Sequence, residues 1–203
     1  MPAHLEVYTG PMFSAKTERL IAELKRATYA GKRILVIKPS RDTRTEDFIA
    51  SRRMHPDGST SITDRFPAVI VHSEAQLQQL IDEDGFDVLA IDEAQFFPLD
   101  EDKSDMLGWL GRAVRTLLRQ EREESLRILV AGLDTDFAEE PFGPMPGLLA
   151  LADTIEKLKA VCMVCGSYYA HLSQRLSADE AQVSVGDAEL YQARCRACFT
   201  PPK

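Results

Sequence analysis

The chain of 203 residues has no cysteine outside residues 162 to 198, no apolar run long enough for a membrane span, no internal repeat or low-complexity tract, and no surplus of basic charge. Each absence removes a class of protein. With 24 Lys and Arg against 32 Asp and Glu the formal charge is −8, which argues against a protein that coats nucleic acid, because phosphate backbones are gripped by clustered cations. A small anionic substrate stays open, since one local positive loop can bind it inside an acidic protein. A membrane helix needs about 20 mostly apolar residues, and no stretch qualifies. The start, MPAHLEVYTG, lacks the charged and apolar regions of a signal peptide, so a cytoplasmic protein without membrane association is expected. In a reducing compartment, four cysteines confined to two Cys-x-x-Cys pairs point to metal before disulfide.

What is present begins with alternation. Up to about residue 150, short apolar runs alternate with helical patterns, the signature of a sheet with helices on its faces. LEVYT (5 to 9), RILVIK (33 to 38), PAVIV (67 to 71), DVLAID (87 to 92) and RILVAG (127 to 132) read as strands, the last closing a parallel set. Leu20, Ile21, Leu24 and Ala27 share a helical face that Gly31 ends, Ser73 with Gln76 makes a capping box for a helix through Ile81, and Leu107, Leu110, Val114, Leu117 and Leu118 mark a longer amphipathic helix. Residues 39 to 66, rich in Ser, Thr, Asp and Arg, hold no sustained period and read as a long loop. Beyond residue 150 come short segments around the cysteines, with β-like alternation in AQVSVGDAELYQARC (181 to 195). The expected architecture is α/β: a phosphate-loop domain over 1–152, its parallel sheet flanked by helices, then a small zinc-binding β-hairpin domain over 153–203.

GPMFSAKT, residues 10 to 17, departs at one position from the phosphate-binding pattern of Gly, four variable residues, Gly, Lys, then Ser or Thr. The loop Gly10, Pro11, Met12, Phe13, Ser14, Ala15, Lys16, Thr17 lies between an expected strand and an expected helix, where backbone N–H groups and the positive helix end attract phosphate. Lys16 then reaches the outer phosphates and the Thr17 hydroxyl sits on Mg²⁺. Ala15 replaces the second glycine. If that position needs a positive φ, the Cβ costs about 1–2 kcal/mol; if it is helical, the methyl can only crowd a phosphate oxygen. The plain alternative is a strand-to-helix turn with an incidental lysine.

IDEAQFF (91 to 97) places Asp92 and Glu93 where a buried strand emerges at the carboxyl edge of the sheet, the edge where ligands of open α/β sheets sit. Asp92 fits the acid that organises Mg²⁺, and Glu93 is then free to act as a base on an attacking oxygen. Two acids after a strand also commonly just begin a loop, and the pair does not separate a kinase from an ATPase. Cys162, Cys165, Cys195 and Cys198 complete the set of candidate groups. Four thiolates saturate tetrahedral Zn²⁺ and leave no open position, so this site is structural, not catalytic. Redox chemistry, the reading for one Cys-x-x-Cys, fits two pairs poorly.

Taken together and in order, GPMFSAKT, DTR (42 to 44), IDEAQFF, GLDTDFAEEPFGPMP (132 to 146), KLKAVCMVCG (157 to 166) and LYQARCRAC (190 to 198) resemble the zinc-containing, cellular or type II thymidine kinases, and the bacterial members more than any other nucleoside kinase. The resemblance covers nearly the whole chain. It implies transfer of the γ-phosphoryl group of ATP, with Mg²⁺, to the 5′-hydroxyl of thymidine, feedback inhibition by dTTP, and a homotetramer. It makes Glu93 the base near the 5′-hydroxyl, with Lys16, Thr17 and Asp92 handling phosphate and metal. Asp42 and Arg44 fall near the reacting phosphates, and Gln95 joins the ATP-binding set. Met12, Phe96, Leu133, Phe137 and Phe142 match the apolar pocket around base and sugar, together with Ser173 and Tyr191. The segment around Val183, Gly186 and Tyr191 matches a loop that folds over the thymine. Plain core packing is the alternative for the aromatics.

Three positions depart from the family pattern: Ala15, Asp187 where a second glycine is usual, and Ser173 where a threonine is common. One methylene-sized change is worth about 1–3 kcal/mol in selectivity, so a weakened preference for thymidine over deoxyuridine is expected. Two rival readings follow. One is a weakened or silent nucleotide-binding relative, disabled by Ala15; the other is a zinc-ribbon ATPase acting on nucleic acid, which the acidic balance disfavours.

Overall fold

The structure is a computed structural model, and it describes residues 2–55, 59–83, 85–100, 105–176 and 189–201. The described elements run β1 (His4–Thr9), α1 (Lys16–Tyr29), β2 (Ile34–Pro39), β3 (Phe48–Met54), β4 (Thr60–Pro67), β5 (Val69–Val71), α2 (Glu74–Asp82), β6 (Val88–Ile91), a 3₁₀ turn (Ala94–Phe96), α3 (Gly108–Arg119), β7 (Arg127–Gly132), α4 (Met145–Leu151), β8 (Thr154–Lys157), β9 (Leu172–Arg175) and β10 (Tyr191–Arg194). Six strands form one sheet in the order β5-β2-β6-β7-β1-β8, and every neighbouring pair is parallel. RILVAG is therefore a central strand and not the last of the set.

Successive side chains of a strand leave on opposite faces, and each central strand here divides its residues between two cores. Val7, Ile37, Leu89, Ile91, Ile128 and Val130 meet α2, α3 and α4 on one side, through Leu77, Ile81, Trp109, Leu110, Val114, Leu117, Met145 and Leu148. Tyr8, Val36, Val88, Ala90, Leu129 and Ala131 meet Leu20, Ile21, Leu24 and Ala27 of α1 on the other. Each large aliphatic side chain buried this way contributes about 1.5–3 kcal/mol. Glu23 lies in the same α1 stripe and is buried. A buried charge needs a partner, and Arg19, Arg26 and Arg127 supply three.

Helix ends follow the sequence signals. Ser73 accepts a hydrogen bond from the Gln76 backbone N–H at 3.2 Å, and the Gln76 side chain accepts from the His72 N–H at 2.9 Å. After α1 the chain turns through Gly31 at φ 68°. Helix α4, inside the Gly- and Pro-rich stretch, has no clear periodicity; Pro146 sits in its first turn, where a missing N–H costs nothing.

Residues 39 to 66 are not a structureless loop. β3 and β4 form a two-stranded antiparallel sheet, paired from Phe48 opposite Pro67 to Met54 opposite Thr60, with an irregularity at Ser51 and Arg52. Ile49 and Ser51 are buried on its inner face, whereas Ser61, Ile62, Thr63 and Arg65 of β4 are exposed. A mostly solvated strand carries no apolar alternation to read. Lys25 of α1 pairs with Asp64, holding the hairpin over the helix.

Candidate active site

β1 runs into the loop at Gly10, where φ is 136° and a Cβ would lie 2.4 Å from the Leu158 carbonyl oxygen, a position open only to glycine. Phe13 and Ala15 then take left-handed conformations at φ 63° and 64°. Ala15 immediately precedes α1, whose first N–H groups have no partners within the helix, so the loop offers main-chain donors and the positive end of the helix to an anion. The strained of the two alternatives for Ala15 holds. The Lys16 ammonium donates to the Pro11 carbonyl at 2.7 Å, and burial brings its pKa down to about 8 against the pull of Glu93 and Asp92.

Asp92 follows β6 on the α1 side of the sheet, and the Thr17 hydroxyl lies 3.2 Å from each of its carboxylate oxygens. Burial, reinforced by the neighbouring Glu93 charge, pushes the Asp92 carboxyl up to about 7. A hydroxyl and a carboxylate converging beside a phosphate loop are the hard oxygen donors that suit Mg²⁺. These two groups could hold such an ion.

Glu93 adopts φ 51°, which swings its carboxylate off the strand line into the cavity that Lys16, Thr17 and Asp92 also border. It is not free of partners there. One oxygen pairs with Arg44 and the other accepts from Gln95 Nε2 at 2.6 Å. Burial, the largest single influence, would raise its pKa, but the Arg44 guanidinium together with the Lys16 ammonium outweighs it and holds the carboxyl below the usual range. Arg44 also donates to Asp42 at 2.7 Å, and Asp42 is itself held low, burial being overcome by Arg44 and Lys38. Gln95 differs from expectation: it is buried behind Glu93, does not border the cavity, and accepts from the Leu133 N–H at 3.0 Å. Its amide thus holds the Glu93 carboxylate from behind.

Part of the cavity lining is apolar. Phe96 and Phe142 meet edge to face at 5.6 Å, and Met12, Leu133, Phe137 and Tyr191 border the same space. Gly143 sets the loop that carries Phe142; at φ 52° its Cβ would fall 2.2 Å from the Gln95 carbonyl oxygen. Ser173, on β9, accepts from the Met12 N–H at 2.9 Å, so its hydroxyl ties β9 to the phosphate loop. Arg175, two residues after Ser173 and not among the residues the sequence pointed to, lies 3.8 Å over the Phe137 ring and donates to the Tyr191 hydroxyl at 2.7 Å. Of the expected site residues, Gly10 and Pro11 shape the turn from behind without bordering the cavity. Val183, Gly186 and the departure at Asp187 lie outside the described residues.

β9 and β10 pair antiparallel, Arg175 opposite Tyr191 and Leu172 opposite Arg194, and bring the two Cys-x-x-Cys turns together. All four sulfurs lie within 4.8 Å of one another, with Cys165 and Cys195 at 3.7 Å. Sulfurs about 2.3 Å from a tetrahedral zinc stand roughly 3.8 Å apart, so the quartet fits that ion. Backbone N–H groups at Cys195 and Cys165 bring the Cys162 thiol down to about 6, while hydrogen bonding among the sulfurs pushes Cys198 up to about 12. Four thiolates this close need a cation to ionise together. Phe13 of the phosphate loop packs on the small core around Cys162 and Cys195, which joins metal site and phosphate loop directly.

A sequence profile described as thymidine kinase matches residues 3–199. The chain belongs to the thymidine kinase family. Among relatives named thymidine kinase, that of Mesomycoplasma hyopneumoniae strain 7448 is 39% identical over 197 residues, covering 97% of this chain and 95% of its own. That of Bacteroides thetaiotaomicron is 38% identical over 96% of this chain and 86% of its own, and that of Mycoplasma genitalium 38% identical over 94% and 80%. For this thymidine kinase family member the left-handed Ala15 costs about 1–2 kcal/mol, or roughly ten-fold, which is not abolition. Ala15→Gly is expected to raise kcat/KM for ATP by about ten-fold or less. Steady-state kinetics check this, and a gain of several orders of magnitude would instead mark Ala15 as disabling.

Proposed function

We propose that this chain transfers the γ-phosphoryl group of ATP to the 5′-hydroxyl of thymidine. What supports the reading, beyond family membership, is that one cavity is bordered both by the phosphate loop with Asp92 and Glu93 and by the edge-to-face pair Phe96 and Phe142 with Phe137 and Tyr191. Lys16 and the loop amides hold the triphosphate, and Thr17 and Asp92 take Mg²⁺. Phe96, Phe142 and Phe137 enclose the base and sugar, which leaves the 5′-hydroxyl facing Glu93. That carboxylate is ionised at neutral pH and accepts the hydroxyl proton as the oxygen attacks. A loose transition state asks little of the base beyond position, which suits a carboxylate held low by Arg44.

The same reading divides the chain into an ATP-binding unit, 1–152, and a zinc-anchored lasso, 153–203, of which β8 joins the sheet of the first unit and the part beyond it closes over the nucleoside. Feedback inhibition by dTTP follows from one molecule carrying both base and triphosphate. A homotetramer in the cytoplasm, acting on ATP and thymidine and not on nucleic acid, completes the proposal; among the described residues no helix is long and apolar enough to cross a membrane. The silent-relative alternative gains nothing from the geometry, because Lys16, Thr17, Asp92 and Glu93 all border the cavity. A coupled assay with ATP, Mg²⁺ and thymidine on zinc-loaded protein tests the reading. Turnover of thymidine is expected, and its absence at millimolar nucleoside would overturn it.

A further inference from the structure

Lys38 is a cation without a part in the chemistry above. It lies near the end of β2, on the same face as Val36, and is wholly shielded from solvent. A buried ammonium is tolerated only when its three protons find acceptors. Here they find the Thr45 carbonyl at 2.5 Å, the Thr45 hydroxyl at 2.6 Å and the Asp42 carboxylate at 3.1 Å. All three acceptors belong to the segment that carries Arg44. The second Asp42 oxygen accepts from Arg44 Nε, and Arg44 pairs with Glu93. An unbroken polar chain thus runs from the tip of β2 to the carboxylate after β6. An apolar side chain in the surrounding core could tie down a loop by packing alone. The ammonium here satisfies one Asp42 oxygen and leaves the other to orient the guanidinium.

We propose that Lys38 is a positioning residue for phosphoryl transfer: it sets the 42–45 segment so that Arg44 presents Glu93 to the attacking hydroxyl. This rests on the reading of Glu93 as the base, and the experiment separates the two. Lys38→Met, Glu93→Gln and the double variant are compared as zinc-loaded full-length proteins, with kcat and both KM values measured. Lys38→Met is expected to lower kcat about 10- to 100-fold, the cost of misplacing a reacting group by about 1 Å. KM for thymidine should stay within about three-fold, since the aromatic pocket sits on other elements, and any rise in KM for ATP should be smaller than the kcat loss, although Asp42, Arg44 and Thr45 border the cavity. In the Glu93→Gln background the same substitution should cost less than about three-fold, because the group it positions is gone.

A kcat loss of equal factor in both backgrounds, or an effect on KM alone, would reduce Lys38 to a structural residue and overturn the proposal. If Glu93→Gln itself keeps full kcat, the base reading falls and the proposal with it. Thr45→Ala is run in parallel in case Lys38→Met does not fold; it removes one acceptor and keeps the ammonium. A kcat loss of about three- to ten-fold that disappears with Glu93→Gln supports the proposal, and an unchanged kcat overturns it.

Discussion

Glu93→Gln is expected to lower kcat by about 10²- to 10⁴-fold, the usual contribution of a positioned proton acceptor, with KM for ATP and thymidine little changed. The substitution keeps the volume of the side chain and removes its charge. The Arg44 guanidinium can still donate to the amide oxygen, but the new NH₂ then faces Gln95 Nε2, a donor against a donor. Gln95 cannot relieve this by turning over, because its own oxygen holds the Leu133 N–H. A stability loss of about 1–3 kcal/mol is therefore expected beside the rate loss. Nucleotide affinity is the control, since Lys16 and Thr17 are untouched. Single-turnover kinetics in saturating ATP and thymidine check the chemical step, and a kcat within ten-fold of the parent would remove Glu93 from proton transfer.

Zinc removal, by chelation or by Cys195→Ser, is expected to abolish turnover while leaving the six-stranded sheet folded. The core around the metal consists of Ala160, Cys162, Ala170, Ala193 and Cys195, small side chains that bury too little apolar surface to order their segments. Structural zinc in finger peptides contributes about 10–16 kcal/mol of apparent folding free energy at pH 7, far more than such a core can replace. The loss is not confined to β9 and β10. Phe13 loses its packing partner, and the Met12 N–H loses the Ser173 hydroxyl, so both middle residues of the phosphate loop are released. Limited proteolysis should then cut within residues 160–199 while the rest of the chain resists, and zinc should restore both protection and rate. Retention of more than about a tenth of the rate by demonstrably metal-free protein would contradict a coupling of this strength.

The strands buried on both faces were legible because their apolar runs have no other use: RILVAG is β7 to the residue, and DVLAID ends at the acids as expected. The phosphate loop was legible from its pattern, as were the cysteines from their pairing. What the chain did not disclose depends on contacts distant in sequence. β3 and β4 lean on α1 with polar outer faces, and no local period marks them. Lys38 sits in RILVIK as one charge at the end of an apolar strand, and only the fold of the 42–45 segment reveals its acceptors. Likewise IDEAQFF names Glu93 but not its hold by Arg44, 49 residues earlier. Gln95 stands two residues from the base, and nothing in that spacing says that its side chain turns away from the cavity.

The strict division of strand side chains between two cores means that the sheet also acts as a partition. Truncating Val130 or Ile128 hollows the compartment shared with α2, α3 and α4, whereas truncating Leu129 hollows the one beneath α1. Only the second compartment supports the helix whose first turn carries Lys16 and Thr17. Neighbouring positions on a single strand thus answer to different demands, one to the endurance of the molecule and the other to the aim of its chemistry.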